Sequence, residues 1–284
     1  MKTKSDRIFS FGLFVVSILF TLILCLTTSY SVSGVSLPKQ TILQHIFSCK
    51  RSQFLENILY SAPYISGVVS GNQWIIILFP LLVSMPFLLQ FSDEFESGFY
   101  RMKLTRSTFS NYWNLAFIKN GLLGAASVTL GYLVYVLISY IFFPHINDYP
   151  SELKIQLSSP MNQLFNSESD ILFVLNQVMV IFMFAFFTAQ LCMTLFLVMS
   201  NRYKAIGLPM IVFYLLEQIS SSLFKSNNWD GRFYIISPKN IVFYTQYSFE
   251  CHGMSYWYYF LFAFTITAFL YVICKKICRR KVMN

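Results

Sequence analysis

Of the 284 residues, 56% are hydrophobic and 12% are charged, about half the charged share of ordinary soluble domains. With a mean hydropathy of +0.56, this composition excludes a conventional water-soluble globular domain. The net charge of +9 would mark a nucleic-acid partner only if basic residues clustered on a soluble face. Here they sit between apolar runs, so no nucleic acid is expected.

A bilayer core about 30 Å thick takes roughly 20 mostly apolar residues per spanning helix. Six stretches are read as spans, at about 8–30, 73–91, 121–143, 171–200, 207–224 and 256–274. The fourth is long enough to tilt, and the fifth is short and interrupted. Retained basic residues mark the cytoplasmic side. One side carries Lys2, Lys4 and Arg7, then Arg101, Lys103, Arg106 and Lys119, then Arg202 and Lys204, and finally Lys275, Lys276, Arg279, Arg280 and Lys281. The other side has only Lys39, Lys50, Arg51, Lys154, Lys225, Arg232 and Lys239. The bias and the even span count both place the two termini in the cytoplasm of a multi-pass cell-membrane protein, with a bacterial plasma membrane as the expected setting. A basic start, an apolar run and the small residues at 31–33 also loosely fit a cleaved leader or a lipoprotein signal ending at Cys25. The run is too long for a typical leader, however, and is read as the first span.

The chain is therefore expected to be one all-α transmembrane domain over 1–284, with outer segments at 31–72, 144–170 and 225–255. In the first of these, Ile42/Leu43, Ile46/Phe47, Phe54/Leu55 and Ile58/Leu59 recur about every four residues. This spacing predicts short amphipathic helices at the outer interface or over the helix ends. Such helices either cap the bundle or touch substrate. Trp74, Trp257 and Tyr256, Tyr258 and Tyr259 are placed at outer ends, where amphipathic rings favour the headgroup region. Within the third span, Gly124, Ser127 and Gly131 share a side and allow another helix close approach. That helix belongs either to the same chain or to a second copy.

The connection at 92–120 is longer than a turn needs. Ser92 or Asp93 can cap a helix whose first turn carries Glu94 and Glu96, where negative charge suits the positive helix end. Phe95, Phe99 and Met102 then share a face. Thr105-Arg106-Ser107 interrupts, Ser107 or Thr108 can cap again, and Phe109, Tyr112, Trp113, Ala116 and Phe117 follow in an amphipathic pattern. Two short surface helices with aromatic faces either dock a soluble partner or lie in the inner lipid interface.

Glu94 and Glu96, Gly98, Leu104, Thr105-Arg106-Ser107, Tyr112 and Lys119, taken with the span count and the large first outer loop, resemble the permease subunits of type-2 ABC exporters over nearly the whole chain. Phe99-Tyr100-Arg101-Met102 departs from the more aliphatic stretch of many relatives. The resemblance implies an ABC-2 type permease bundle with coupling helices. Two permease subunits, identical or related, would form the path, and cytoplasmic ABC ATPase subunits carrying ATP and Mg would drive it. Carried over to this chain, it makes Asp93, Glu94, Glu96, Gly98, Arg101, Arg106, Tyr112 and Lys119 the ATPase-coupling positions, with Gly98 a helix break or close-approach point. Peptides, antibiotics or other amphipathic compounds are the implied cargo.

The chain has no Gly-x-x-x-x-Gly-Lys-Ser/Thr phosphate loop, so it is not expected to hydrolyse ATP or to bind a cofactor itself. Glu217 is the one acidic residue inside a span, and Gln218 and Ser220 to Ser222 extend its polar patch. A charge there costs several kcal/mol, about 3 on insertion scales, and faces protein or water. It lines the path or binds a cationic substrate, or else the fifth span ends early and leaves it at the interface. Cys49 and Cys251 are the two cysteines placed outside, where a disulfide is permitted. His45, His145 and His252 lack a second ligand at helical spacing, so no metal site is expected, and no Gly-x-Ser-x-Gly nucleophile turn occurs. A membrane scaffold or sensor, or a secondary transporter, remains an alternative to the exporter. The transporter would predict further charges inside the spans.

Overall fold

A computed structural model describes residues 4–30, 40–48, 51–55, 60–62, 65, 73–145, 148, 170–225, 238 and 257–283. The elements are α1 (Lys4–Leu26), β1 (Ser29–Tyr30), β2 (Gln40–Thr41), α2 (Ile42–Ser48), α3 (Arg51–Phe54), α4 (Gln73–Ser84), α5 (Leu88–Glu96), α6 (Phe99–Leu104), α7 (Phe109–Phe142), α8 (Asp170–Met199), α9 (Arg202–Lys225) and α10 (Trp257–Met283). Apart from the two-residue antiparallel ladder of β1 and β2, the described structure is helical. Ile8–Leu26, Phe109–Phe142 and Gln177–Met199 are long and apolar enough to cross a membrane, and the bent pair α4 and α5 makes a fourth span if counted as one.

The polarity of α1 is inverted relative to a helix in water. Ser17, Thr21 and Cys25 are buried, while Ile8, Phe9, Phe11, Val16, Leu19, Phe20 and Ile23 are exposed. Monomeric soluble proteins rarely present apolar patches on that scale, whereas helices in lipid bring small and polar side chains to their contacts. The small-residue face of α7 meets other helices of the same chain. A Cβ on Gly124 would lie 2.6 Å from the Val83 carbonyl oxygen of α4, and one on Gly131 would lie 2.7 Å from the Ile18 carbonyl oxygen of α1. Between them Ser127 Oγ lies 3.2 Å from Ser17 Oγ. Gly121 seats α8, because its Cβ would collide with Gln190 and Phe186, and Gln190 Nε2 donates to the Phe117 carbonyl at 2.8 Å.

The second span is broken between Ser84 and Leu88 with a bend of 44°. Pro86 has no N–H to give the Leu82 carbonyl one turn back, and its ring opposes a straight continuation. The freed Leu82 oxygen accepts a hydrogen bond from Ser17 Oγ at 2.7 Å. Two turns earlier on α1, Ser10 Oγ donates to the Pro86 carbonyl at 3.1 Å. An irregular backbone at this depth is tolerated when neighbouring side chains satisfy it.

Three sequence expectations change here. The helix carrying Glu94 and Glu96 begins at Leu88, so these acids lie at its C-terminal end, where the dipole disfavours negative charge. The second amphipathic helix is not separate from the third span. Thr108 caps α7, accepting from Asn111 N–H at 3.4 Å, and the helix then runs 34 residues without interruption. The basic tail is likewise helical to Met283, and Arg202 and Lys204 sit in the first turn of α9. At the far end, α3 packs over the end of α7, with Phe54 against Phe143 at 5.0 Å and against Tyr60 at 5.8 Å, while α2 packs against α1. Ile42 and His45 are buried, while Leu43 and Phe47 are exposed.

Candidate functional site

The turn region from α5 to α7 brings together half of the residues singled out for coupling, Asp93, Glu94, Gly98 and Tyr112. The end of α5 closes through Ser97 N–H to the Asp93 carbonyl at 3.0 Å and Gly98 N–H to the Phe95 carbonyl at 3.3 Å. Gly98 then takes φ +69, the left-handed conformation that glycine adopts without a Cβ penalty. This turn folds α6 back so that Tyr100 stacks on Phe95 at 4.8 Å with the rings 19° apart. Phe95 and Phe91 in turn meet Phe196 of α8, at 6.2 and 5.8 Å.

Gly98 is a helix break but not a close-approach point, since nothing lies within 4 Å of a Cβ built there. Alanine at Gly98 should therefore cost only its backbone strain, about 1–2 kcal/mol. Asparagine, which tolerates this conformation better, should cost less. Thermal melting of Gly98→Ala and Gly98→Asn in detergent checks this ranking.

Two of the acids left at the unfavourable end of α5 are held by cations from other elements. Lys103 of α6 pairs with Glu94, and Arg202 of α9 donates to Asp93 at 3.0 Å. Both pairs are partly solvated, so each is worth at most about 1 kcal/mol. Their effect is positional, because they fasten α6 to α5 and α5 to the start of α9. Asn201 caps α9, its Oδ1 accepting from Tyr203 N–H at 3.0 Å and Lys204 N–H at 3.1 Å. Lys281 from the end of α10 donates to Ser200 Oγ in the same turn. Lys103 also lies over the rings of Phe99 at 5.4 Å and Tyr112 at 5.9 Å.

The other coupling candidates lie outside this cluster. Glu96, Arg106 and Lys119 are exposed. Arg101 is also exposed, with Nε donating to Tyr100 Oη at 3.4 Å. That hydrogen bond, before the charge effect of the same tyrosine, raises the guanidinium's already high value. Sequence reasoning missed Lys103 and Arg202 as partners of the acids. Nine positions separate Lys103 from Glu94, a spacing that becomes a contact only through the reversal at Gly98.

Glu217 is 7% exposed on α9, which packs against α4 and α8, whereas Gln218 is exposed. The side chains of Ser220 to Ser222 lie outside the described residues, as do Cys49, Cys251 and His252 and the rings of Tyr256, Trp257, Tyr258 and Tyr259. Trp74 is exposed. Burial and then Cys274 push the Cys278 thiol up to about 12 against the opposing charge of Lys281, so it stays protonated and poorly nucleophilic. Among the described residues no group of three His, Cys, Asp or Glu could hold a metal ion. No family model matches the chain, and no curated protein or solved structure matches it either.

Proposed function

We propose that this chain is the six-span permease subunit of an exporter in the cell membrane, driven by ATP hydrolysis in a separate cytoplasmic ABC ATPase. The inverted polarity of α1 supports membrane residence. Helices α9 and α10, at 24 and 27 residues, have the length a span of roughly 20 residues requires and are read as the fifth and sixth crossings. The observation that carries the reading is the elbow formed by α5, α6 and the start of α7. It projects the exposed side chains of Glu96, Arg101, Met102 and Arg106 at the basic end, while edge-on ring contacts tie it to α8 and an ion pair ties it to α9. A push on α6 would reach the broken second span directly through Gly98. Glu217 on α9 is the residue expected to face the path, and a second permease subunit, identical or related, completes it.

The test uses the tagged full chain expressed with its candidate ATPase. Glu96→Lys and Arg106→Glu alter exposed charges, and each is expected to lower ATPase capture about tenfold, equivalent to 1.4 kcal/mol, with the melting temperature unchanged. If the unaltered chain captures no ATPase and both variants transport normally, the exporter reading fails.

A further inference from the structure

We infer that the groove between the start of α7 and the end of α10 is a binding site for the phosphate headgroup of an anionic phospholipid. The groove has a volume of about 700 Å³ and is walled by Phe109, Ser110, Val272, Lys275, Lys276 and Arg279, among others. Its chemistry divides along the helix axis. Lys276 and Arg279 are exposed beyond one turn of α10, and Val272 is exposed on the turn before. Continuing away from the basic end, Ala268, Thr265 and Leu261 are exposed on the same side, at spacings of three and four residues that keep them on one helical stripe. Cations at one end and a largely apolar strip leading away match a charged headgroup with acyl chains.

Charge complementarity is one-sided. Neither α7 nor α10 contains an aspartate or glutamate anywhere along its length, so the three cations face no acid across the groove. Two acids of the elbow are engaged elsewhere, Glu94 by Lys103 and Asp93 by Arg202, and the exposed Glu96 is not part of the groove's lining. The first turn of α7, whose leading N–H groups have no intrahelical acceptor, borders the same space. The wall is also braced. Lys275 Nζ donates to Ser110 Oγ and to Tyr271 Oη, both at 3.1 Å, and Tyr271 Oη donates to Asn114 Oδ1. Lys275 thus holds the two helices at a fixed width, while Lys276 and Arg279 are left to meet a ligand. Basic pockets between membrane helices on the cytoplasmic side suit anionic headgroups, which gain about fivefold in affinity per cation near the surface.

The inference rests on membrane residence and on the placement of the basic end in the cytoplasm, but not on coupling to an ATPase. Native mass spectrometry of the delipidated full chain, titrated with phosphatidylglycerol or phosphatidylcholine, tests it. Phosphatidylglycerol is expected to bind preferentially. Lys276→Gln with Arg279→Gln should weaken it about 25-fold and leave phosphatidylcholine unchanged. Lys119→Gln with Lys204→Gln removes the same charge from exposed positions outside the groove's lining and should change affinity less than about twofold. Thermal melting confirms that both double variants fold. Equal losses in the two variants would mean a general charge effect and would overturn the site. So would displacement of the lipid by millimolar inorganic phosphate, which would assign the cations to a free anion. Unchanged lipid binding with lost ATPase capture in Lys276→Gln/Arg279→Gln would overturn it in favour of a protein interface. A chain that binds phosphatidylglycerol as expected yet captures no ATPase sinks only the exporter reading.

Discussion

Valine at both Gly124 and Gly131 is expected to abolish accumulation of the folded chain. At Gly124 the new Cβ would lie 2.6 Å from the Val83 carbonyl oxygen, and at Gly131 it would lie 2.7 Å from the Ile18 carbonyl oxygen and 2.8 Å from Thr21 Cβ. The obstructing oxygens belong to helix backbones, which cannot turn aside as a flexible side chain can. Relief requires moving α4 and α1 away from α7, which breaks the Ser17 hydrogen bonds to Leu82 and Ser127. Over-packing commonly costs about 1–3 kcal/mol per site, and immovable neighbours place both sites at the upper end. Together they would remove much of a total stability on the order of 5–15 kcal/mol. Gly12 and Gly207 also lie within helices, but nothing is within 4 Å of a Cβ at either. Alanine there should be neutral or stabilising by up to about 1 kcal/mol. Size-exclusion profiles and melting curves of detergent extracts separate the two pairs, and equal behaviour would contradict the helix packing described here.

The second large effect is expected at Trp113. It is the largest fully buried side chain among the described residues, one turn into α7, with its ring 6.2 Å from that of Phe117. Alanine would leave a cavity between helices already tied together by Gln190 and Tyr271, at a cost of about 3–5 kcal/mol. Phenylalanine should recover most of this loss. It refills much of the space and deletes Nε1, which has no hydrogen-bond partner among the described residues. Leaving such a donor buried and unmade itself costs about 1–3 kcal/mol. The ranking native, then Trp113→Phe, then Trp113→Ala in thermal unfolding checks this, and a Trp113→Ala chain that melts with the native one would refute it.

The apolar runs were readable from composition because lipid demands long stretches without charge, and Ile8–Leu26 and the core of α7 fall where hydropathy places them. The small-residue face of α7 was equally legible, since Gly124, Ser127 and Gly131 share one side and allow backbones so near. Its partners were not, because closeness is a property of two helices and the sequence of one names no counterpart. The elbow misled in a specific way. Glu94 and Glu96 resembled a helix start, where isolated helices favour acids, but tertiary partners Lys103 and Arg202 hold Glu94 and Asp93 at a helix end instead. Phe109 to Phe117 carried an amphipathic period that suits a surface helix and the inner part of a long span alike. Only the absence of any breaker between Phe117 and Gly121 argued for continuity. Glu217 was conspicuous as a lone acid, yet what surrounds it depends on the packing of α4 and α8, which no local pattern encodes.

The proline break in the second span has a mechanical consequence. The carbonyls of Leu82 and Pro86 at the break accept from hydroxyls of α1, at Ser17 and Ser10, and side-chain hydrogen bonds inside membranes average only about 0.6 kcal/mol each. Two such bonds yield at roughly twice the thermal energy, so the break is a compliant joint, clasped by α1 and readily released. The glycine contacts of α7, with α4 at Val83 just before the break and with α1 at Ile18, are steric and do not yield. Bending of the second span is therefore confined to residues 85–87, with α1 as the element whose hydroxyls set how stiff that joint is.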